Sequence, residues 1–125
     1  MFKTIEDVKK NVSFISVNEA ARRMSIHPKA VEENINFGSL FAIKGENGYL
    51  IPEFQIDGKR IKRGFKGINI LIDRKFGSDS LKAINFLLTP IVNFYKEKET
   101  PVEILSRDHD AKEVGLIETE LNVYK

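Results

Sequence analysis

Eight residues between positions 22 and 47 have side chains that suit contact with a nucleic acid. Cations can bind phosphate oxygens, and neutral polar groups can form hydrogen bonds with base edges. The cations are Arg22, Arg23, Lys29 and Lys44, and the polar residues are Ser25, His27, Asn34 and Asn47. We predict that the cations hold the backbone of double-stranded DNA, while Ser25, His27 and Asn34 approach the bases.

Two carboxylates in the same stretch argue against this prediction. Glu32 and Glu33 share the exposed side of the predicted second helix, where a carboxylate can accept a hydrogen bond from cytosine but repels phosphates. The alternative is a helix pair that serves as a structural or protein-binding platform. In that case Arg22 and Arg23 are only the solvated side of a helix, and His27 only caps the next one.

Few residues of this chain could perform catalysis or hold a metal ion. There is no cysteine, and the two histidines, His27 and His109, are far apart in the sequence. The chain lacks a glycine-rich phosphate loop and the motifs of serine and zinc hydrolases. The cluster Asp108-His109-Asp110 is better explained by capping of a helix that begins there. We therefore predict that the protein is not an enzyme and that it binds no metal, cofactor or small-molecule substrate.

Two short helices would position the predicted DNA-binding residues. Ser16 and Glu19 have the spacing of a capping box, which predicts a helix start. The apolar residues that follow recur at helical spacing: Val17, Ala20, Ala21 and Met24. A second helix should begin near Pro28 and end near Gly38, because proline suits a first helical turn and glycine a helix end. The pattern is typical of a helix-turn-helix, whose second helix enters the major groove of DNA.

A β-hairpin is predicted directly after the helix pair. Asn47-Gly48 lies between two apolar, β-prone runs, residues 40–44 and 49–51, and this arrangement is a strong hairpin signal. The hairpin would form a wing beside the second helix. The expected fold class is therefore mainly α with a small β-hairpin wing (α+β), a winged helix-turn-helix followed by a small helical domain.

The second half of the chain has the pattern of a helical domain. Helices are predicted at 67–76, 81–88, 101–105 and from 108 or 110 to 124. Lys and Arg outnumber Asp and Glu by 12 to 8 in residues 1–66, but number 8 against 10 in residues 67–125. We predict a DNA-binding domain at 1–66 and a helical dimerisation and partner-binding domain at 67–125.

A homodimer is the predicted assembly. Two helix-turn-helix units related by a two-fold axis can read half-sites about one helical turn apart. The helices after Gly67 offer more apolar surface than a half of this size needs for its own core. The residues concerned are Leu81, Ile84 and Leu88 on one face and Val114, Ile117 and Leu121 on another.

Four positive charges follow the hairpin within five residues: Lys59, Arg60, Lys62 and Arg63. They form either a solvated linker or a strip that contacts phosphates beside the wing. The sequence leaves both alternatives open.

Three strings, at 16–24, 37–40 and 49–52, resemble the excisionase/MerR-like winged helix-turn-helix family, and the resemblance covers residues 14–53. Three further strings, at 49–57, 86–90 and 100–105, resemble bacterial proteins in which a helix-turn-helix precedes a ParS/MbcA-like toxin-binding domain. This resemblance implies an antitoxin that forms a homodimer, binds its own operator as an autorepressor and neutralises a partner toxin, commonly of the RES-domain type.

The same resemblance implies that the C-terminal segment reaches the toxin, through Leu121, Tyr124 and Lys125. For Tyr124 the alternative is that its ring completes the buried face of the last helix. The alternative function is a phage or mobile-element accessory protein without a toxin partner. The first ten residues are too charged for a signal peptide and no apolar run could span a bilayer, so we predict a cytoplasmic protein without membrane contact.

Overall fold

The structure is a computed structural model that describes residues 1–93, 95–107 and 111–124, apart from the side chain of Ala111. The predicted helix-capping cluster Asp108-His109-Asp110 and the predicted contact residue Lys125 lie outside the described residues.

The described part of the chain is mainly helical with short antiparallel strands, which confirms the predicted α+β class. Its helices are α1 (Ile5–Asn11), α2 (Val17–Met24), α3 (Pro28–Phe37), α4 (Arg63–Phe76), α5 (Ser80–Leu88), α6 (Pro101–Ser106) and α7 (Ala111–Val123). Its strands are β1 (Phe14–Ile15), β2 (Ile43–Gly45), β3 (Gly48–Pro52), β4 (Ile56–Asp57), β5 (Arg60–Ile61), β6 (Ile91–Val92) and β7 (Lys98–Glu99). A 3-10 turn, Glu53–Gln55, links β3 to β4.

The predicted helix pair is α2 and α3, joined by three residues. The Ser16 hydroxyl accepts a hydrogen bond from the Glu19 N–H, so one half of the predicted capping box forms. The other half does not, because the Glu19 carboxylate binds two arginines instead. Ser25 ends α2 with a left-handed backbone (φ 54°), and Gly38 ends α3 in the same region (φ 96°).

The predicted wing is the antiparallel hairpin of β2 and β3, in which β3 also pairs with β1 to give the strand order β1-β3-β2. Strand β2 begins at Ile43, three residues later than the apolar run indicated. The reason lies in the preceding residues. Leu40 is buried in the core, and both backbone groups of Phe41 bind the Gln55 side chain rather than a neighbouring strand.

Helix α4 begins at Arg63, earlier than the predicted start at Gly67, because Phe65 is buried and the Lys62 N–H donates to the Gln55 carbonyl. The predicted boundary between residues 66 and 67 therefore falls inside this helix. A single cluster of buried side chains includes residues from both predicted domains. Its members include Ile15, Ala20, Met24, Val31, Leu40, Ile51, Phe65, Ile68, Ile72, Leu87, Ile104, Ile117 and Leu121.

The apolar faces predicted to form a dimer are partly used inside the single chain. Ile84 and Ile117 are fully buried and Leu121 is 2% exposed, whereas Leu81, Leu88 and Val114 are half-buried. Three of the six residues are therefore not available to a partner, and the homodimer stays a prediction. The predicted capping box at Thr100 and Glu103 is confirmed in both of its hydrogen bonds.

The C-terminal helices are held together by polar contacts as well. The Arg107 guanidinium binds the carboxylates of Glu99 and Glu113, which connects the end of α6 to β7 and α7. Side-chain hydrogen bonds from Arg107 and then from Asn93 hold the pKa of Glu99 below its usual value. None of the described helices combines the length and the apolar character needed to cross a lipid bilayer.

Candidate nucleic-acid interface

The solvent-facing side of α3 is polar and accessible. His27, Lys29, Glu32, Glu33 and Asn36 are exposed. Such a surface on the second helix of a helix-turn-helix can hydrogen-bond to base edges. The helix ends in Phe37, an aromatic side chain that is 73% exposed and was not among the predicted contact residues.

Asn34 does not belong to this exposed side, although the sequence predicted that it approaches the bases. Its Nδ2 donates to the Ala30 carbonyl at 2.9 Å, and its Oδ1 accepts from the Ser39 hydroxyl at 2.8 Å. The half-buried amide thus fastens the end of α3 to the following loop. Asn36, two residues later, has the same amide chemistry on an exposed side chain.

His27 and Ser25 lie at the turn between the two helices. The His27 Nδ1 accepts a hydrogen bond from the Lys29 N–H at 3.0 Å, so the alternative that this side chain caps α3 is confirmed. Capping uses one ring nitrogen, and the exposed ring keeps the other for a ligand. Ser25 is exposed and its backbone continues the turn.

Arg22 and Arg23 are paired with carboxylates of the same molecule. The Arg22 Nη2 lies 2.5 Å from the Glu19 carboxylate. In Arg23, Nε contacts Glu19 at 2.8 Å and Nη1 contacts Glu53 at 2.9 Å. The hydrogen bonds from Arg22 and then Arg23 lower the pKa of Glu19 to about 2. Two cations and two anions cancel, so this group adds little net charge to a DNA-facing surface.

The wing residues predicted to contact DNA are accessible. Lys44 and Asn47 are exposed on β2 and at the hairpin turn, and Glu46 is exposed beside them. Lys44 and Lys29 form no ion pair among the described residues. These two lysines, rather than Arg22 and Arg23, carry the uncompensated positive charge of the predicted interface.

A buried polar network fixes the end of α3 to α4. The Asn69 Nδ2 donates to the Ser39 carbonyl at 3.0 Å and to the Gln55 Oε1 at 2.9 Å. The Gln55 amide in turn binds the N–H and the carbonyl of Phe41, and its Nε2 also donates to the Pro52 carbonyl. Gln55 is fully buried and Asn69 is 2% exposed, so water hardly competes with these hydrogen bonds. The network sets the orientation of α3 against the second half of the chain.

Sequence reasoning missed this network, although one signal was present. Asn69 lies one position after Ile68 and three before Ile72, on the side of α4 that is buried. A polar residue in an apolar helical face needs a partner inside the protein. That partner, Gln55, lies 14 residues away and has no local pattern that identifies it.

Two of the residues predicted to bind a toxin, Leu121 and Tyr124, pack inside the protein. Leu121 is part of the core, and the half-buried Tyr124 ring packs against Phe86 and Phe76 with ring centroids 5.3 and 5.7 Å apart. The alternative interpretation of Tyr124, that it completes the buried face of the last helix, agrees with these contacts. The neighbouring Val123 is 67% exposed.

Tyr124→Ala is expected to lower the free energy of unfolding by about 1 to 3 kcal/mol, because two aromatic contacts worth about 0.5–1.5 kcal/mol each are lost. Chemical denaturation followed by circular dichroism measures this change. Val123→Ala is the matched control and should leave the stability nearly unchanged. If Tyr124→Ala keeps full stability but weakens binding to the product of the neighbouring gene, the ring is a partner contact instead.

The helix pair, the three-residue turn and the hairpin together define a winged helix-turn-helix fold joined to a small group of helices. No protein-family model matches the sequence, and no curated protein is significantly similar to it. A solved structure, the NMR structure of Rv2175c, has a similar fold with a TM-score of 0.65. The similarity covers 92% of this chain and 83% of that chain at 14% sequence identity, which establishes a common fold.

Proposed function

We propose that this protein is a sequence-specific DNA-binding regulator that inserts α3 into the major groove and places the β2–β3 wing beside it. The observation that carries the proposal is the exposed polar side of α3, on a helix whose end is fixed by a half-buried hydrogen bond between Ser39 and Asn34 and a buried one from Asn69 to Ser39. A recognition helix must be held rigidly to read bases, since direct readout depends on bidentate hydrogen-bond geometry.

The two carboxylates of α3 agree with such a function when specificity is considered. Glu32 and Glu33 repel phosphates, which weakens binding to arbitrary DNA, whereas a carboxylate can accept a hydrogen bond from the amino group of cytosine. We expect the preferred site to contain G·C base pairs opposite this part of α3. The platform alternative, a helix pair that binds protein, predicts no selection of any DNA sequence.

The test is selection from a random duplex pool, followed by mobility shifts on the selected site and on the DNA upstream of the gene. Lys29→Gln combined with Lys44→Gln should make the slope of the logarithm of the binding constant against the logarithm of the salt concentration shallower by about 0.9 for each lost phosphate contact. Glu32→Gln and Glu33→Gln should change which sequences are selected. Absence of any enriched sequence, together with no mobility shift at about 50 mM salt, would overturn the proposal.

The antitoxin role implied by the ParS/MbcA resemblance is the more specific form of this proposal, with the upstream DNA as operator. Leu121 is 2% exposed and is not accessible to a toxin, whereas the half-buried Tyr124 ring packs on the core and its role in toxin contact is tested by the Tyr124→Ala variant. Within the described residues, the large apolar side chains that the second half exposes are Val92, Tyr95 and Val123.

Co-expression with each neighbouring gene tests the antitoxin role. A gene that arrests growth when expressed alone, but is tolerated when this protein is co-expressed, supports the role. If no neighbouring gene product is toxic or forms a complex, the regulator acts without a toxin.

A further inference from the structure

The stretch from Lys59 to Lys66, here called the basic segment, carries five cations: Lys59, Arg60, Lys62, Arg63 and Lys66. Four of them are exposed, and Lys62 is half-buried. None forms an ion pair with any carboxylate among the described residues. The basic segment is therefore a concentrated positive charge that the protein itself leaves uncompensated.

The basic segment differs in this respect from α2, where the sequence placed two of the four predicted phosphate-binding cations. The charges of Arg22 and Arg23 are compensated by Glu19 and Glu53 at 2.5 to 2.9 Å. An arginine that must leave a carboxylate to bind a phosphate exchanges one ion pair for another. An unpaired cation has no such competitor, so the gain from counterion release belongs mainly to unpaired cations.

The shape of this region suits a phosphate backbone. A cleft of about 400 Å³ is lined by Arg60, Lys62, Arg63 and Gly64 and by the end of α6 at Leu105, Ser106 and Arg107.

The charge in this cleft is mainly positive. Asp57 is the carboxylate in the lining, and three unpaired cations outnumber it. The guanidinium of Arg107 is engaged by Glu99 and Glu113. Helix α4 begins in this cleft without a side-chain cap and without an acidic residue in its first turn, so no carboxylate of its own first turn opposes an anion at the helix start.

The basic segment also has a fixed position relative to α3. Asn69 of α4 binds the Ser39 carbonyl just after α3, and Lys62 lies seven residues before Asn69. At 1.5 Å per helical residue, the start of α4 is about 10 Å along the helix from that contact. This axial separation, measured from the residues just after α3, is of the same order as the width of the major groove, which is about 12 Å.

We propose that the basic segment is a second DNA-binding site, which grips the phosphate backbone of the duplex read by α3 and supplies most of the salt-dependent affinity. This inference rests on the proposed DNA-binding function. The ligand is the duplex backbone rather than a free phosphate compound, because the cations extend along a turn and a helix start instead of converging on one buried point.

The experiment compares two triple variants on the selected duplex over a range of salt concentrations. Arg60→Gln with Lys62→Gln and Arg63→Gln removes charge from the basic segment and should lower the log–log salt slope by about two to three, at about 0.9 per contact. Lys82→Gln with Lys96→Gln and Lys98→Gln makes the same charge change at exposed positions elsewhere and should leave the slope nearly unchanged. Base preference should be the same in both variants.

A second measurement uses the unaltered protein. Amide NMR signals of the basic segment should shift when the duplex is added. Titration with inorganic phosphate or pyrophosphate at the same concentrations should not produce shift changes that reach saturation. If the wild-type protein binds DNA but the triple variant keeps the full salt slope, the basic segment is only solvated and this inference is wrong, while the proposed function stands. Saturation by pyrophosphate with no response to DNA would also overturn it. If the wild-type protein binds no DNA, both proposals fall.

Discussion

Phe65→Ala is expected to lower the free energy of unfolding by about 3 to 5 kcal/mol, the cost typical of a large aromatic side chain removed from a core. The Phe65 ring is fully buried and stacks on Phe54 with ring centroids 5.6 Å apart. It belongs to the cluster that contains Ala20 and Val31 from the helix pair and Ile117 from the last helix. We therefore expect one cooperative transition in which the helix pair and the C-terminal helices unfold together.

Urea denaturation gives the free energy, and hydrogen exchange of α2 and α7 amides tests the cooperativity. Both helices should lose protection by a similar amount in Phe65→Ala. Phe37→Ala is the control, since that ring is 73% exposed, and its effect should stay within about 0.5 kcal/mol. Separate transitions for α2 and α7 in the wild-type protein would contradict the single core.

Gln55→Met is expected to cost on the order of 2 to 4 kcal/mol, because it leaves several buried backbone groups without partners. The amide of Gln55 serves the N–H and the carbonyl of Phe41 and the carbonyl of Pro52, and it also accepts from Asn69. Methionine has a similar volume, so the loss comes from hydrogen bonding rather than from a cavity. Under the proposed function, DNA affinity should fall as well, because the network joins the residues just after α3 to α4.

A double-mutant cycle with Asn69→Leu separates the network from its parts. If Gln55 and Asn69 act as one unit, the two losses should be clearly less than additive, because either change breaks their shared hydrogen bond. Asn122→Leu, at an exposed position on α7, is the control for replacing an amide by an apolar side chain. Additive losses would mean that the two residues contribute independently.

Local sequence signals predicted the parts of the fold that depend on neighbouring residues. Ser16 and Pro28 mark real helix starts, Asn47-Gly48 marks a real hairpin, and Thr100 with Glu103 forms the complete capping box. Each signal works because the hydrogen bond or backbone preference that it describes is made within a few residues of the chain.

The parts that sequence reasoning missed depend on residues far apart in the chain. Pairing of Glu19 with Arg22 and Arg23 is visible at helical spacing, but the second partner of Arg23, Glu53, lies 30 residues away. The early start of α4 depends on a hydrogen bond between Lys62 and Gln55 and on burial of Phe65 against both halves. Amphipathic spacing shows that a helix face is buried but does not show which surface covers it.

The hydrogen bonds of Asn69 restrict how this protein can exchange segments with relatives during evolution. Recombination at residue 66 would keep α2, α3 and the wing but replace Asn69, and the Ser39 carbonyl and the Gln55 amide would then face a foreign helix. A hybrid gene of this kind inherits α3 without the residue that ties its end to α4. For the proposed DNA-binding function, new base preferences should therefore arise by single substitutions on the exposed side of α3 more readily than by shuffling of gene fragments.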